Sequence, residues 1–285
     1  MQDMNLPLQD LFEGLFQSSV DLQRQLTTTV DSPITGCIKR SVWSKEHVIR
    51  GLARVCESPN LLALAQNLDV YEFGVYRGET TVMMEHLLHG YQFPYKNLWG
   101  FDAFQGLPQE APGVEKFFYF AEGVFGEEDK SLYQLRPNGT YIRGWFSDLT
   151  SDHVRKFNMR PAAFVHVDGD LYISCVQALT FMLENRLIQP GTVIAFDEFK
   201  STSDLHSGGE SRAWFELCDK YKIKAREFFR NIYSHDRADV ERLAHHMKSQ
   251  GVTEKVVLPD YAELWQNAFE VVSLGVESDP GLLPG

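Results

Sequence analysis

The chain has 285 residues, of which 27 are basic and 39 acidic, giving a net charge of −12 at neutral pH. That length buries a full core as one α/β domain with extensions, and the acidic balance without a local basic patch argues against a nucleic-acid surface. Cys37, Cys56, Cys175 and Cys218 are scattered without a Cys-x-x-Cys pair, residues 1–17 lack the pattern of a secretory leader, and no apolar run approaches the ~18 residues of a membrane span. The expectation is a cytoplasmic protein with reduced thiols and no membrane partner.

Residues 1–60 read as an N-terminal helical extension. Leu6, Leu8, Leu11, Phe12, Leu15 and Phe16 fall at mixed helical spacing, suited to packing in cis, to docking or to a homodimer contact. Ser44 is in N-cap position for a helix to Cys56 with Val48, Leu52 and Val55 on one face. From Val70, apolar β-rich runs alternate with helical patterns, the signature of a parallel sheet with crossover helices. The expected strands are 70–73, 97–101, 140–143, 162–167, 192–196, 222–229 and 268–274, with a mostly helical excursion over 234–266. Residues 61–276 thus form one Rossmann-like, doubly wound domain of seven strands, and 277–285 a flexible tail. The long aromatic excursion 109–138, with Phe117, Phe118, Tyr119 and Phe120, reads as a lid.

The stretch Asp69-Val-Tyr-Glu-Phe-Gly-Val-Tyr-Arg-Gly-Glu-Thr-Thr81 runs from a buried strand through a glycine turn into a helix. Such a junction cradles a nucleotide-like ligand at the helix N-terminus. Gly74 and Gly78 permit the turn, and Thr80 or Thr81 is placed to cap the helix. Tyr76 stands where a pyrophosphate would need a glycine, so the ligand lacks a pyrophosphate. S-adenosylmethionine fits, with Glu72 receiving its ammonium directly or through the loop.

Ligands of open α/β sheets lie beyond the carboxyl ends of the strands. Here those ends carry Glu72, Asp102, Asp168 with Asp170, and Asp197 with Glu198. Asp102 is placed to accept both ribose hydroxyls. Asp168, Asp197 and Glu198 offer hard oxygen ligands suited to Mg²⁺, with Asp170 the rival first ligand. Lys200 is the basic residue near these strand ends and the competing ion-pair partner. Gly144, Trp145 and Phe146 either flank the adenine or form an ordinary buried aromatic pair.

These segments, with Gly100-Phe-Asp-Ala-Phe-Gln-Gly-Leu-Pro108, Val165-His-Val-Asp-Gly-Asp-Leu-Tyr-Ile-Ser174, Val193-Ile-Ala-Phe-Asp-Glu-Phe199 and Glu210-Ser-Arg-Ala-Trp214, resemble the macrocin O-methyltransferase family of class I S-adenosylmethionine-dependent methyltransferases. The resemblance spans roughly residues 40–235. It implies the seven-stranded methyltransferase fold, cofactor contacts at Glu72, Gly74, Gly78 and Asp102, and Mg²⁺ held by the acids after strands four and five. Glu79 and Glu198 depart from the family pattern, which has a second small residue after the glycine turn and an Asp-Asp pair after strand five.

The expected function is O-methylation of a small hydroxylated natural product, a sugar or similar metabolite. Asp168 or Asp170 is the candidate base and His206 the next. His166, alternating inside its strand, reads as a satisfied core residue. The alternative is a non-catalytic binding or scaffold protein that kept the cofactor fold.

Overall fold

The computed structural model describes residues 45–126, 132–249, 251–252 and 257–275. In chain order the principal elements are α1 (Glu46–Glu57), α2 (Pro59–Leu64), β1 (Asp69–Phe73), α3 (Glu79–Gly90), β2 (Leu98–Asp102), β3 (Gly139–Arg143), α4 (Ser151–Phe157), β4 (Ala162–Val167), α5 (Tyr172–Glu184), β5 (Val193–Lys200), α6 (Gly209–Tyr221), β6 (Lys224–His235), α7 (Arg237–Ser249) and β7 (Ala262–Ser273). The strands form one seven-stranded sheet in the order β3-β2-β1-β4-β5-β7-β6. β1 to β5 pair in parallel, and β7 enters antiparallel between β5 and β6. The chain order reverses at β1/β4, which opens a crevice at the carboxyl ends of those two strands.

Strand alternation decides what each face carries. Tyr71, Phe73, Phe101, Val165, Val167 and Phe196 pack toward α5 and α6, whereas Val70, Leu98, Phe164, Val193 and Ala195 pack toward α1 and α3. Both faces are covered, so β1 and β4 are buried along their whole lengths. α1 lies close on the sheet because Gly51 has no side chain: a Cβ there would stand 2.4 Å from the Phe164 ring. Val48, Leu52 and Val55, the face read from spacing, are fully buried.

Several local expectations are corrected. The N-cap of α1 is Lys45, without a side-chain cap; Ser44 lies outside the described residues, as do the rest of 1–44 and the tail from 276. The N-cap of α3 is Gly78 in the left-handed region at φ 83°, and Thr81 instead donates its hydroxyl hydrogen to Glu72. The strand expected over 222–229 runs on to His235, and β7 begins at Ala262. Among its described residues the 234–266 excursion is therefore helical over α7, because the two twelve-residue strands satisfy each other's backbone groups along their length. α2 and α4, too short to show a periodic face, have no counterpart in the sequence reading.

The aromatic excursion packs as a third apolar cluster. Leu107, Phe117, Phe120 and Val124 meet Val240 and Met247 of α7, and Glu110 accepts the backbone N–H groups of Tyr172 and Ile173 at 2.8 and 3.0 Å, capping α5. Residues 127–131 of the excursion lie outside the described residues.

Candidate active site

A cavity of about 400 Å³ opens at the carboxyl ends of β1, β2, β4 and β5, within the size range of small-molecule and cofactor sites. One end is built by the glycine loop after β1. Gly74 has φ 96°, and a Cβ there would come 1.7 Å from the Asp168 carbonyl oxygen. Only glycine lets the loop lie against the end of β4. Tyr76 also takes the left-handed region, at φ 52°. Asp102, the last residue of β2, holds this loop: Oδ2 accepts the N–H groups of Val75 and Tyr76, both at 2.8 Å, and Oδ1 accepts that of Phe104 at 2.6 Å.

Tyr76, Thr80, Asp102, Gly144, Trp145 and Phe146 all line the cavity. Gly78 starts α3 behind them, and Phe146 stands edge-on to Phe73 at 5.4 Å. Glu72 is placed otherwise. It is the fourth of five residues in β1, fully buried on the α1 and α3 side, and absent from the cavity lining. Its carboxylate is taken up by the Thr81 hydroxyl and by His166 Nδ1 at 3.0 Å. In this arrangement Glu72 ties β1 to the first turn of α3. Burial pushes its carboxyl well above the ordinary range.

The other end is acidic. Asp168, Asp197 and Glu198 each bring a carboxylate oxygen within 4.8 Å of the others, and Asp170, at φ 60°, lines the same space. Parity explains the arrangement. Asp197 continues the Val193-Ala195 side and turns toward α1, while Glu198 continues the Phe196 side and faces α6. There Glu210 accepts the N–H groups of Gly169 and Glu198, both at 3.2 Å. β5 extends to Lys200, so Asp197 and Glu198 lie within the strand, past the break in its pairing with β7 after Phe196.

The competing cation comes from elsewhere than expected. Lys200 pairs with Glu263 at 3.0 Å and lies over the Trp265 ring. Lys45, at the start of α1, instead sends Nζ to Asp168 Oδ2 at 2.7 Å and to Asp197 Oδ2 at 2.5 Å. Beside it, His47 Nε2 lies 3.1 Å from Asp197 Oδ1 and 3.3 Å from His166 Nε2. Burial lowers the pKa of both histidines. His166 is the satisfied core residue expected.

Burial would by itself lower the Lys45 ammonium, but Asp168 and Asp197 outweigh it and hold it well above its ordinary value. Burial likewise raises Asp197, and here Lys45 and His47 prevail and hold it well below the carboxylate range. Asp168, buried beside Asp197, is pushed up to about 7, and burial raises Asp170, Glu198 and Glu210 far above their usual range. Of these carboxyl groups, Asp168 and Asp197 share the Lys45 ammonium. Glu198 Oε2 is buried without a hydrogen-bond partner. An oxygen-only donor set with an orphaned oxygen suits a hard divalent cation. His206 does not line the cavity; it packs on Phe215 at 5.1 Å in the loop before α6.

The family model for macrocin-O-methyltransferase (TylF) matches residues 63–211, more than half of the chain. The chain belongs to the macrocin-O-methyltransferase family. Among curated relatives, the 8-demethyl-8-(2,3-dimethoxy-α-L-rhamnosyl)-tetracenomycin-C 4′-O-methyltransferase of Streptomyces olivaceus is 25% identical over 144 residues, 46% of this chain and 52% of the relative. The demethyldecarbamoylnovobiocin O-methyltransferase of Streptomyces niveus is 26% identical over 164 residues, 53% of this chain and 61% of the relative. The match therefore spans only about half to three-fifths of those relatives. A crystal structure of a calicheamicin methyltransferase superposes with a TM-score of 0.50 at 16% identity, covering 73% of this chain and 87% of that one, a likeness of fold. Within this macrocin-O-methyltransferase member, the matched segment carries the glycine loop, Asp102 and the whole acidic end. Lys45 and His47 lie outside it.

Proposed function

We propose that the chain transfers a methyl group from S-adenosylmethionine to a hydroxyl of a small natural product, such as a sugar substituent. The observation that carries this reading is that one cavity joins the glycine loop to the converged Asp168, Asp197 and Glu198. Both curated relatives are named as O-methyltransferases, one of them for a rhamnosyl-tetracenomycin, which supports the acceptor class.

In this reading the backbone of the Gly74–Gly78 loop, fixed by Asp102, receives the amino-acid and ribose parts of the cofactor, and Gly144, Trp145 and Phe146 border its adenine. Asp102 already accepts three backbone N–H groups, two on Oδ2 and one on Oδ1, so the remaining lone pair on Oδ1 serves the ribose. Asp168, Asp197 and Glu198 are proposed to hold Mg²⁺, which when bound would orient the acceptor hydroxyl and lower its pKa. Asp170, close to this trio and lining the cavity, is the proposed base: it takes the hydroxyl proton while the oxygen attacks the methyl carbon in line with the departing sulfur. The aromatic wall from Phe117 to Phe125 acts as the lid that excludes water from the reacting atoms. The free thiols of Cys56, Cys175 and Cys218 suit a reducing compartment, consistent with a cytoplasmic location.

A second reading, a cofactor-binding protein without turnover, is favoured by one observation: Lys45 sits among the acids. Incubation with methyl-labelled S-adenosylmethionine, Mg²⁺ and a panel of rhamnosides and other glycosides, followed by mass spectrometry, separates the two. A methyl ether on any acceptor is the expected result. Cofactor binding with no labelled product across the panel would favour the second reading.

A further inference from the structure

Asp197 has no oxygen to spare. Oδ1 accepts from Gln266 Nε2 at 2.6 Å and faces His47 Nε2 at 3.1 Å, while Oδ2 holds Lys45 Nζ at 2.5 Å. The same ammonium holds Asp168 Oδ2 at 2.7 Å. Gln266 sits on β7 and His47 on α1, both fixed by the core, and both are buried. Lys45 is different: it precedes the helix, its stem is flexible, and it borders the cavity. Of the groups bound to Asp197, Lys45 is the one able to withdraw.

A divalent ion bound to Asp168 and Asp197 would use the two oxygens that Lys45 now bridges. Like charges confined at that separation repel strongly in a buried site. We propose that Lys45 is a resident counter-ion of the acidic end and that a divalent cation enters only by displacing it, so that Lys45 seating and metal occupancy are alternative states of one site. This rests on the metal assignment made above and deepens it. Lys45 neutralises part of the acid cluster when no ion is bound, leaving Glu198 Oε2 unpartnered, and it lowers the apparent affinity for the ion by the cost of its own release. The signal for this role is invisible from local sequence, because Lys45 lies 123 residues from Asp168 and 152 from Asp197.

Calorimetric titration of Mn²⁺ into the full chain tests this, comparing the unaltered protein with Lys45→Met, which keeps the stem and removes the charge. The variant is expected to bind Mn²⁺ at least about tenfold more tightly. Because removal of the ammonium leaves the acids unbalanced and the variant can fail to fold, a second measurement uses the unaltered chain. Acylation of Lys45, followed by peptide mass spectrometry, is expected to be slow without metal and to accelerate at saturating Mn²⁺. Equal, measurable Mn²⁺ affinities together with unchanged acylation of Lys45 would overturn the displacement and leave the metal assignment intact. Failure of both proteins to bind Mn²⁺ would overturn the metal assignment and the displacement with it.

Discussion

Asp102 shows how one carboxylate can serve two purposes. It closes the glycine loop through three backbone N–H groups, so its removal disturbs the loop as well as any ligand on it. Asp102→Ala is expected to weaken binding of S-adenosylhomocysteine by about 1.5 to 3 kcal/mol, roughly ten- to a hundredfold, as charge-assisted bonds are lost. Calorimetry reads this directly, and an unchanged affinity would remove Asp102 from the cofactor site. The acids at strand ends were readable from sequence because β1, β2, β4 and β5 each announce themselves by an apolar run that stops at a carboxylate. Glu72 reads as a strand-end acid for the same reason, yet its side chain lies on the α1 and α3 side of the sheet. Position at a strand end does not reveal on which side of the sheet a side chain emerges until the register is known. Lys45 and His47 were missed altogether, since only the packing of α1 across β4 and β5 brings them to Asp197.

α1 is the element on which the acidic end depends. Besides Gly51 against Phe164, it is held by Arg54, whose guanidinium donates to Glu270 Oε2 of β7 at 2.8 Å; Arg226 of β6 donates to the same oxygen at 2.6 Å. Burial raises the Glu270 carboxyl, but the two arginines outweigh it and the net shift is downward. A carboxylate held lower in the folded state contributes stability above its unfolded pKa of about 4.3, and that contribution disappears as the pH falls through the folded value. With both arginines partly exposed, Glu270→Gln is expected to cost only about 1 kcal/mol at pH 7. Urea unfolding should show the gap between variant and parent closing as the pH falls below about 4. A gap that persists at pH 3 would assign the loss to packing instead. Replacing Gly51 by valine should be harsher, about 2 to 4 kcal/mol, because a Cβ meets the Phe164 ring and the helix must lift; an unchanged unfolding midpoint would contradict the close seating of α1. The aromatic excursion was readable as a binding element from its composition, and the segment holding α7 as mostly helical, but not the contact between the two, which only tertiary packing makes. If it opens for ligand entry, amides of residues 117–125 will exchange faster than those of β4 and slow when cofactor and acceptor are bound. Equally slow exchange with and without ligands would make it a fixed wall.

Across the whole molecule, a doubly wound sheet brings two different chemistries to the ends of neighbouring strands. The glycine loop and Asp102 offer backbone donors and a fixed carboxylate on one side of the β1/β4 crevice, and the acids of β4 and β5 gather on the other. The parallel half of this order was readable from the alternation of apolar runs and helices. Parts of β6 and β7 were readable too, but not the extension of β6 to His235 or the start of β7 at Ala262, because those parts run through polar stretches that also suit helix. Family membership rests on residues 63–211, which contain the joined cavity ends, whereas the residues of α1 and its N-cap that contact Asp197 lie before that segment. The most direct test of the joined cavity is a crystal structure with S-adenosylhomocysteine. The cofactor product is expected with its ribose at Asp102, its adenine beside Gly144–Phe146 and its sulfur facing the Asp168, Asp197 and Glu198 cluster. A sulfur directed away from those carboxylates, or a ligand seated outside the Gly74–Gly78 loop, would contradict the reading of this cavity as a site for methyl transfer to a hydroxyl.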